Sequence, residues 1–422
     1  MGAVACSGGS SSSSSLGSVA TVAPSTAPTA AASPTATPVS TGAVTTPPPI
    51  DARLTLASGF YGNVVANVGS ARELAMLPNG DLLVGTGGRA IDIVPNADAP
   101  GLAGTPRTFI TLSEGPATSI TVAPDGTLYA GTNSTIWKIA YATGDRSEST
   151  ATIFQRVRTG PVSPGTDGDV HTSTSVVATA GTLYAGVGSS CNRCVETDST
   201  RATVLRMSTS GGAMPRVTNL TTRTRNPIAL AINPATGSLW IGGAGQDSLP
   251  QGHPYEYFDS PTVHGSTDVD YGWPQCEENH VAYAALGTSP APDCSKTVAP
   301  AIEFPAYATL IGAAFYPATQ TGAYAFPAAY RGGVFVTAHG SWHCCPSTPP
   351  RLFYVAMSGD RPATAVDWSD PTVQSRDIIG GYGVTSSSSG YIGRPTGVAI
   401  GPNGSLFIAD DATGNIIRLR HR

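Results

Sequence analysis

Apolar residues along this chain come in short runs broken by small glycine-bearing turns, and the same arrangement recurs six times. Five copies are close: ELAMLPNGDLLVGT around Gly80, SITVAPDGTLYAGT around Gly126, SVVATAGTLYAGV around Gly181, ALAINPATGSLWIGG around Gly237 and GVAIGPNGSLFIAD around Gly404. A looser sixth, YRGGVFVTAHG, surrounds Gly333. Two short β-type runs joined by a Pro-Asx-Gly turn read as a hairpin. Hairpins repeated at intervals of roughly 45 to 95 residues read as an array of sheet units. The pattern predicts an all-β fold, a six-bladed β-propeller of four-stranded antiparallel blades whose last strand pairs beside the first to close the ring. Blades of roughly 60 residues leave room for insertions, and the two longest are residues 246–310 and 341–393.

If each copy supplies the innermost strand and its neighbour, the residue entering the first apolar run lies at the channel mouth, where the blades converge. Three copies enter with a titratable or charged residue ten to twelve positions before the turn glycine: His171 in HTSTSVV, Arg225 in RNPIALAI and Arg394 in GRPTGVAI. Such residues at strand ends are commonly solvated or paired with carboxylates. Their shared phase in the repeat points instead to a site for an anionic ligand, with two guanidiniums and an imidazole base facing one channel.

Composition agrees with a secreted all-β enzyme. The chain of 422 residues has 49 Gly, 35 Pro and 12% charged residues, which suits many short strands and disfavours long amphipathic helices. A net charge of −5 without a basic stripe gives no footprint for nucleic acid. Lys138 and Lys296 are the only lysines, so a lysine Schiff-base mechanism has little support. No apolar run reaches the roughly 18 residues of a membrane span.

Residues 1–50 are a different material, a Ser/Thr/Ala/Pro-rich stretch expected to be a disordered tether before a propeller domain over residues 51–422. Ala3-Val4-Ala5-Cys6 before Ser-Gly-Gly resembles a bacterial lipoprotein processing site, which makes Cys6 the candidate lipid anchor and the only expected link to a membrane. Six further cysteines fall in three local groups, Cys191 with Cys194, Cys276 with Cys294, and Cys344 with Cys345. Local disulfides in an oxidising compartment are the favoured reading, periplasmic or extracellular. Zinc held by Cys191, Cys194 and residues of His339-x-x-x-His343 is the rival.

The segments GVGSSCNRC, TRNPIALAINPATGSLW, DYGWPQCEEN, FPAAYRGGVFVTAHGSW and IGRPTGVAIGPNGSLFIADD, in this order, resemble the soluble pyrroloquinoline quinone (PQQ) dependent sugar dehydrogenases. The likeness is to the sorbosone and aldose dehydrogenase branch and the related pyranose dehydrogenase propellers, over roughly residues 58–420. It implies PQQ and calcium as cofactors, a small-molecule sugar as substrate, and a quinone or cytochrome as electron acceptor. His171 matches the base that removes the sugar hydroxyl proton, and Arg225 the arginine over the quinone, where it would stabilise developing negative charge. Arg394 fits a partner for a PQQ carboxylate, with Arg72 as a third candidate cation. Calcium falls to the loop Gly243-Ala244-Gly245-Gln246-Asp247, of which Gly245, Gln246 and Asp247 are the candidate ligands.

The chemistry is coherent on its own terms. Oxidising a hemiacetal hydroxyl needs a base near neutral pKa, and imidazole fits; the electron pair needs a cofactor to receive it. His339 in HGSW is the rival base and a further cofactor contact, while Trp342, Tyr271 and Trp273 offer apolar faces to a sugar ring. Three positions depart from the family: Ser189 stands where glucose-oxidising relatives keep an Asp that orients the base, the run after His171 is Thr172-Ser173-Thr174 without the usual Arg, and His343-Cys344 replaces Asn-Arg. Asp169 and Asp247 are candidates for the missing carboxylate. Two alternatives stand beside the dehydrogenase: a cofactor-free propeller acting as a cell-surface binding module, and, more weakly supported, a calcium-dependent lactonase-like hydrolase.

Overall fold

The computed structural model describes residues 46–163, 169–210, 215–248, 252–283, 291–342, 348–383 and 390–422. Cys6, residues 1–45 of the expected tether, and the segment containing His343, Cys344 and Cys345 lie outside the described residues.

Five repeat copies each supply the first two strands of an antiparallel sheet and the sixth supplies only a second strand, and six such sheets form the blades. Blade 1 comprises Ala71–Met76, Leu82–Thr86, Ala90–Val94 and Arg107–Thr111; blade 2 Ser119–Val122, Leu128–Gly131, Thr135–Ile139 and Ala151–Arg156; blade 3 Thr174–Thr179, Thr182–Val187, Thr203–Ser208 and Val217–Asn219. Blade 4 comprises Pro227–Ile232, Leu239–Gly243, Glu256–Asp259 and Ile302–Phe304; blade 5 Leu310–Phe315, Val334–Ala338, Arg351–Val355 and Ser375–Gly380; blade 6 Pro395–Ile400, Leu406–Asp410 and Asn415–His421. The fourth strand of blade 6 is Phe60–Asn67 from the other end of the chain, paired from Phe60↔His421 to Asn67↔Asn415. That pairing closes the ring through backbone hydrogen bonds between the two ends of the domain.

Two features differ from the repeat pattern. Blade 5 carries a fifth strand, Thr55–Leu56, on its outer edge. Its two inner strands are also not a tight hairpin. Leu310–Phe315 precedes a long loop, 316–333, and the left-handed turn residue at the loop's end is Gly332 (φ 81°) rather than Gly333. The loop is retained because it packs its own core: Tyr316 stacks on Phe326 at 4.6 Å, and Tyr330 meets Tyr354 at 5.1 Å.

The cores lie between blades. Trp240, fully buried in blade 4, stacks on Phe258 at 5.4 Å and meets Phe315 of blade 5 at 5.8 Å. Leu83, Ile91, Phe109 and Trp137 fill the space between blades 1 and 2. Nearer the axis there is no room for side chains at the seams. A Cβ on Gly131 would overlap Thr174 O of blade 3, one on Gly186 would overlap Pro227 O of blade 4, and one on Gly312 would overlap Thr396 O of blade 6. At the seam between blades 1 and 2, Glu73 N donates to Thr118 O (3.0 Å) and Thr86 N to Ala117 O (2.9 Å).

Overpacking of this kind costs about 1–3 kcal/mol. Gly131→Ala and Gly186→Ala are each expected to lower unfolding stability by that amount in urea titrations. Gly101→Ala, whose new methyl would have no heavy atom within 4 Å, is expected to stay within about 0.5 kcal/mol of the parent. Equal stability for all three proteins would remove seam sterics as a constraint.

Candidate active site

The first strands of all blades begin, and the second strands end, at the same end of the ring, because each hairpin turns back at the opposite end. Residues just before a first strand and just after a second therefore gather at one mouth. A cleft of about 530 Å³ opens there, with Arg72, Thr118, His171, Thr172, Asn226, Ile228, Ile311, His339, Trp342 and Asp411 among its walls. The cleft thus takes side chains from blades 1 to 6, with neither end of the chain alone able to form it.

His171 enters blade 3. Its Nδ1 lies 2.9 Å from both Ser189 O and Ser189 Oγ. A carbonyl oxygen can only accept, and Ser189 Oγ spends its own proton on Cys191 O at 2.7 Å, so Nδ1 carries the hydrogen and Nε2 is left as the acceptor. Burial holds the imidazole pKa well below its usual range. The positive charges of Arg225, Arg158 and Arg201 push in the same direction, and the Ser189 carbonyl offsets them only in part. Ser189 therefore fixes the ring through its carbonyl and its hydroxyl. Neither candidate for the missing carboxylate reaches the ring: Asp169 pairs with Arg201 at 3.0 Å and Asp247 with Arg225 at 3.0 Å.

The two phase-matched arginines correct the expectation that they point into the channel. Arg225 is 5% exposed and lines an adjacent cavity instead. Its Nε donates to Asn192 O (3.0 Å), Nη1 to Ala244 O (3.1 Å), and Nη2 to Asn192 Oδ1 (2.9 Å) and Asp247 Oδ2 (3.0 Å). Arg394 donates from Nε to His339 O (3.0 Å) and from Nη2 to Gly340 O (2.9 Å), bracing the loop that carries Trp342. A buried guanidinium is tolerable only when its donors are satisfied, and carbonyls at the ends of neighbouring strands are the nearest acceptors. Burial lowers the pKa of both. The arginine that does line the cleft is Arg72, paired to Asp411 at 2.7 Å.

His339 follows the second strand of blade 5 and donates from Nε2 to Asp411 at 3.0 and 3.1 Å. Burial brings its pKa down to about 4 although Asp411 opposes the shift. For Asp411, burial alone raises the pKa, but the hydrogen bond and charge of His339 and the charge of Arg72 bring it down to about 2. With Nε2 engaged, His339 suits a positioning role better than that of base. Asp411 escaped the sequence reading, although the doublet Asp410-Asp411 at the exit of a second strand was a signal. Arg158 escaped it too: it donates to Thr174 Oγ1 at 2.8 Å and to Ser173 O, behind the run Thr172-Ser173-Thr174.

In the candidate calcium loop, Gly245 N donates to Glu256 Oε2 at 2.6 Å and Asp247 N to Asn192 Oδ1 at 2.9 Å. Gln246 is 3% exposed, and its Oε1 has no hydrogen-bond partner among the described residues. Trp342, 68% exposed, stands at the cleft wall. Tyr271 and Trp273 do not: Tyr271 stacks on Tyr257 at 5.0 Å and donates to Asp259 at 2.7 Å, and Trp273 packs on Cys191 and Ala202. Disulfides join Cys191 to Cys194 and Cys276 to Cys294, which removes the cysteine thiolates that a zinc site needs.

The family model described as TrAA12-like matches residues 54–422. Among solved structures, the iodide structure of Trichoderma reesei Carbohydrate-Active Enzymes Family AA12 has a TM-score of 0.69 at 18% identity, covering 87% of this chain and 98% of that one. The holo form of the pyranose dehydrogenase PQQ domain from Coprinopsis cinerea also has a TM-score of 0.69, at 16% identity over 87% of this chain and 97% of that one. The apo form of the soluble aldose sugar dehydrogenase from Escherichia coli has a TM-score of 0.58 at 16% identity, covering 86% and 100%. At these identities the likeness establishes a shared propeller fold. No curated protein matches the chain.

A lowered imidazole pKa means that the folded protein resists protonation where the unfolded chain accepts it. His171 is thus expected to stay neutral as pH falls through 6.5, and to draw on folding stability only below that. A ¹⁵N titration of the ligand-free protein should place its midpoint below 6.5, and Arg225→Ala should move the midpoint upward. A midpoint at or above 6.5 would contradict the electrostatics described for the ring.

Proposed function

The chain belongs to the TrAA12-like family, and from that premise we propose that it oxidises an aldose or related sugar at a hemiacetal or aldehyde carbon, with PQQ and calcium as cofactors. The observation that carries this reading is the fixed tautomer of His171. A neutral imidazole with Nδ1–H anchored on Ser189 offers Nε2 to a sugar hydroxyl in the cleft. The names of the neighbouring structures, a pyranose dehydrogenase PQQ domain and an aldose sugar dehydrogenase, support the same substrate class.

The residues present suit both cofactors. The cleft offers a flat acidic ring apolar contact from Ile228 and Ile311 and polar contact from Arg72, Thr118, Thr172 and Asn226. Beside it, the amide oxygen of Gln246, without a partner among the described residues, and the Asp247 carboxylate are the hard donors that calcium takes. PQQ, when bound, supplies the two-electron acceptor that no side chain can provide. His171 Nε2 takes the hydroxyl proton, Arg225 holds the calcium loop through Ala244 and Asp247, and Trp342 covers the sugar face. The acceptor that would take the electrons onward is a quinone or cytochrome. The two disulfides suit a periplasmic or extracellular location, with Cys6 as the candidate lipid anchor.

One observation favours the second reading, a cofactor-free binding module: the guanidiniums of Arg225 and Arg394 are already engaged by protein oxygens. The two readings part in a titration of EDTA-stripped protein with PQQ and calcium, followed by dye reduction over a panel of aldoses. Calcium-dependent turnover is expected, and His171→Ala should lose about 10²–10⁴ in kcat while still binding PQQ. Absence of binding at micromolar PQQ would leave the binding module in its place.

A further inference from the structure

The loop Ser189–Cys194 touches both halves of the site, and one side chain in it does most of the joining. Asn192 accepts from Arg225 twice, through its carbonyl at 3.0 Å and Oδ1 at 2.9 Å. The same Oδ1 accepts from Asp247 N at 2.9 Å, and Nδ2 donates to Asp247 O at 3.1 Å. Three residues before it, Ser189 orients His171, and Ser189 N donates to Arg225 O at 2.8 Å. The four-residue span around Asn192 is closed by the Cys191–Cys194 disulfide. Cys191 is buried against Trp273, whereas Cys194 is half-buried.

We propose that Asn192 is a positioning residue that ties the Arg225 guanidinium to the Gly245–Asp247 loop, and that the Cys191–Cys194 disulfide is a reducible clamp holding it there. The inference rests on the dehydrogenase reading for its effect on turnover, but the tie itself exists in the ligand-free protein. A side chain with both donor and acceptor on one amide is needed, because Asp247 presents an N–H and a carbonyl to it together. A dithiol opens the clamp in two exchanges. One reductant thiolate bonds to the Cys194 sulfur as Cys191 leaves as a thiolate. The second reductant thiolate then displaces Cys194, so the reductant ends as a disulfide and its two protons end on the protein thiols. Cys276 and Cys294 are both buried and are expected to resist the same treatment.

The test compares the full-length parent with Asn192→Ala, Asn192→Asp and the double variant Cys191→Ser/Cys194→Ser. In amide hydrogen exchange without cofactor, the Asp247 N–H should exchange at least about tenfold faster in Asn192→Ala and in the double variant. In protein loaded with PQQ and calcium, both should lose about tenfold to a hundredfold in kcat, the scale seen when outer partners of a metal ligand are removed, with KM nearly unchanged. Asn192→Asp keeps the acceptor for Arg225 and the Asp247 N–H and should recover part of the loss. The proposal fails if Asp247 exchange and kcat are both unchanged in Asn192→Ala, or if Asn192→Asp behaves as Asn192→Ala. Should a variant not fold, graded dithiothreitol treatment of the parent gives the same answer: kcat must fall in step with Cys191–Cys194 opening followed by mass spectrometry. A parent that binds no PQQ yet shows faster Asp247 exchange in Asn192→Ala would overturn the dehydrogenase reading and keep the tie.

Discussion

Everything at the mouth of this propeller depends on how closely the inner strands of neighbouring blades approach. At the seams the contact is glycine against backbone: Gly131 on Thr174, Gly186 on Pro227, Gly312 on Thr396. A methyl group at any of these positions would force blades apart, and all six must fit within one closed ring. The seams therefore fix the radius at which Arg72, His171, His339 and Asp411 project. The larger side chains, Trp240 and Phe315 among them, fill the wedge farther out, where the blades diverge. Ring closure by Phe60–Asn67 on Asn415–His421 supplies the remaining constraint, since an open propeller would leave both edges free to slide.

Within that frame the charges are governed by desolvation before pairing. Arg158, Arg225 and Arg394 are all largely buried, and burial lowers the pKa of each, Arg158 to about 10. Carbonyls take most of the hydrogen bonds they donate, and Arg225 adds the Asp247 carboxylate, while Arg158 Nε has no partner among the described residues. The charges of Arg225 and Arg158, together with that of Arg201, then bear on the His171 imidazole. His171 stays neutral because becoming positive would mean both losing water and facing Arg225, Arg158 and Arg201. The His339 and Asp411 pair shows the same competition with a different result: the carboxylate wins its charge, and the imidazole, though hydrogen-bonded to it, does not.

The blade count and the place of His171 were legible in the sequence because both depend on local signals, a period-2 apolar run and a left-handed glycine in a short turn. Gly80, Gly126, Gly181, Gly237 and Gly404 all have positive φ, as a Pro-Asx-Gly or similar turn requires. The sixth copy was only half legible, since its first strand lies before a loop of its own and carries no turn signal. Which way Arg225 and Arg394 point was not legible at all. Phase in the repeat places a Cα at the mouth, but a guanidinium reaches several bonds further and goes to the nearest carbonyls. Asn192 and Asp411 were missed for a related reason: their partners lie 33 and 72 residues away, or more, and no short motif encodes a contact at that range.

The contact of Ser189 with the His171 ring then has a physical meaning. A carboxylate beside Nδ1 would fix the ring and also stabilise its protonated form, raising the pKa. A carbonyl and a hydroxyl fix the ring equally well without adding charge. With three arginines nearby and no carboxylate at Nδ1, the ring is held toward its neutral form, with the proton on Nδ1. An anion entering the cleft would cancel part of the arginine field and raise the proton affinity of Nε2. Ser189 is then no defect in the site, because a permanent carboxylate would have supplied the same charge whether or not the cleft was filled.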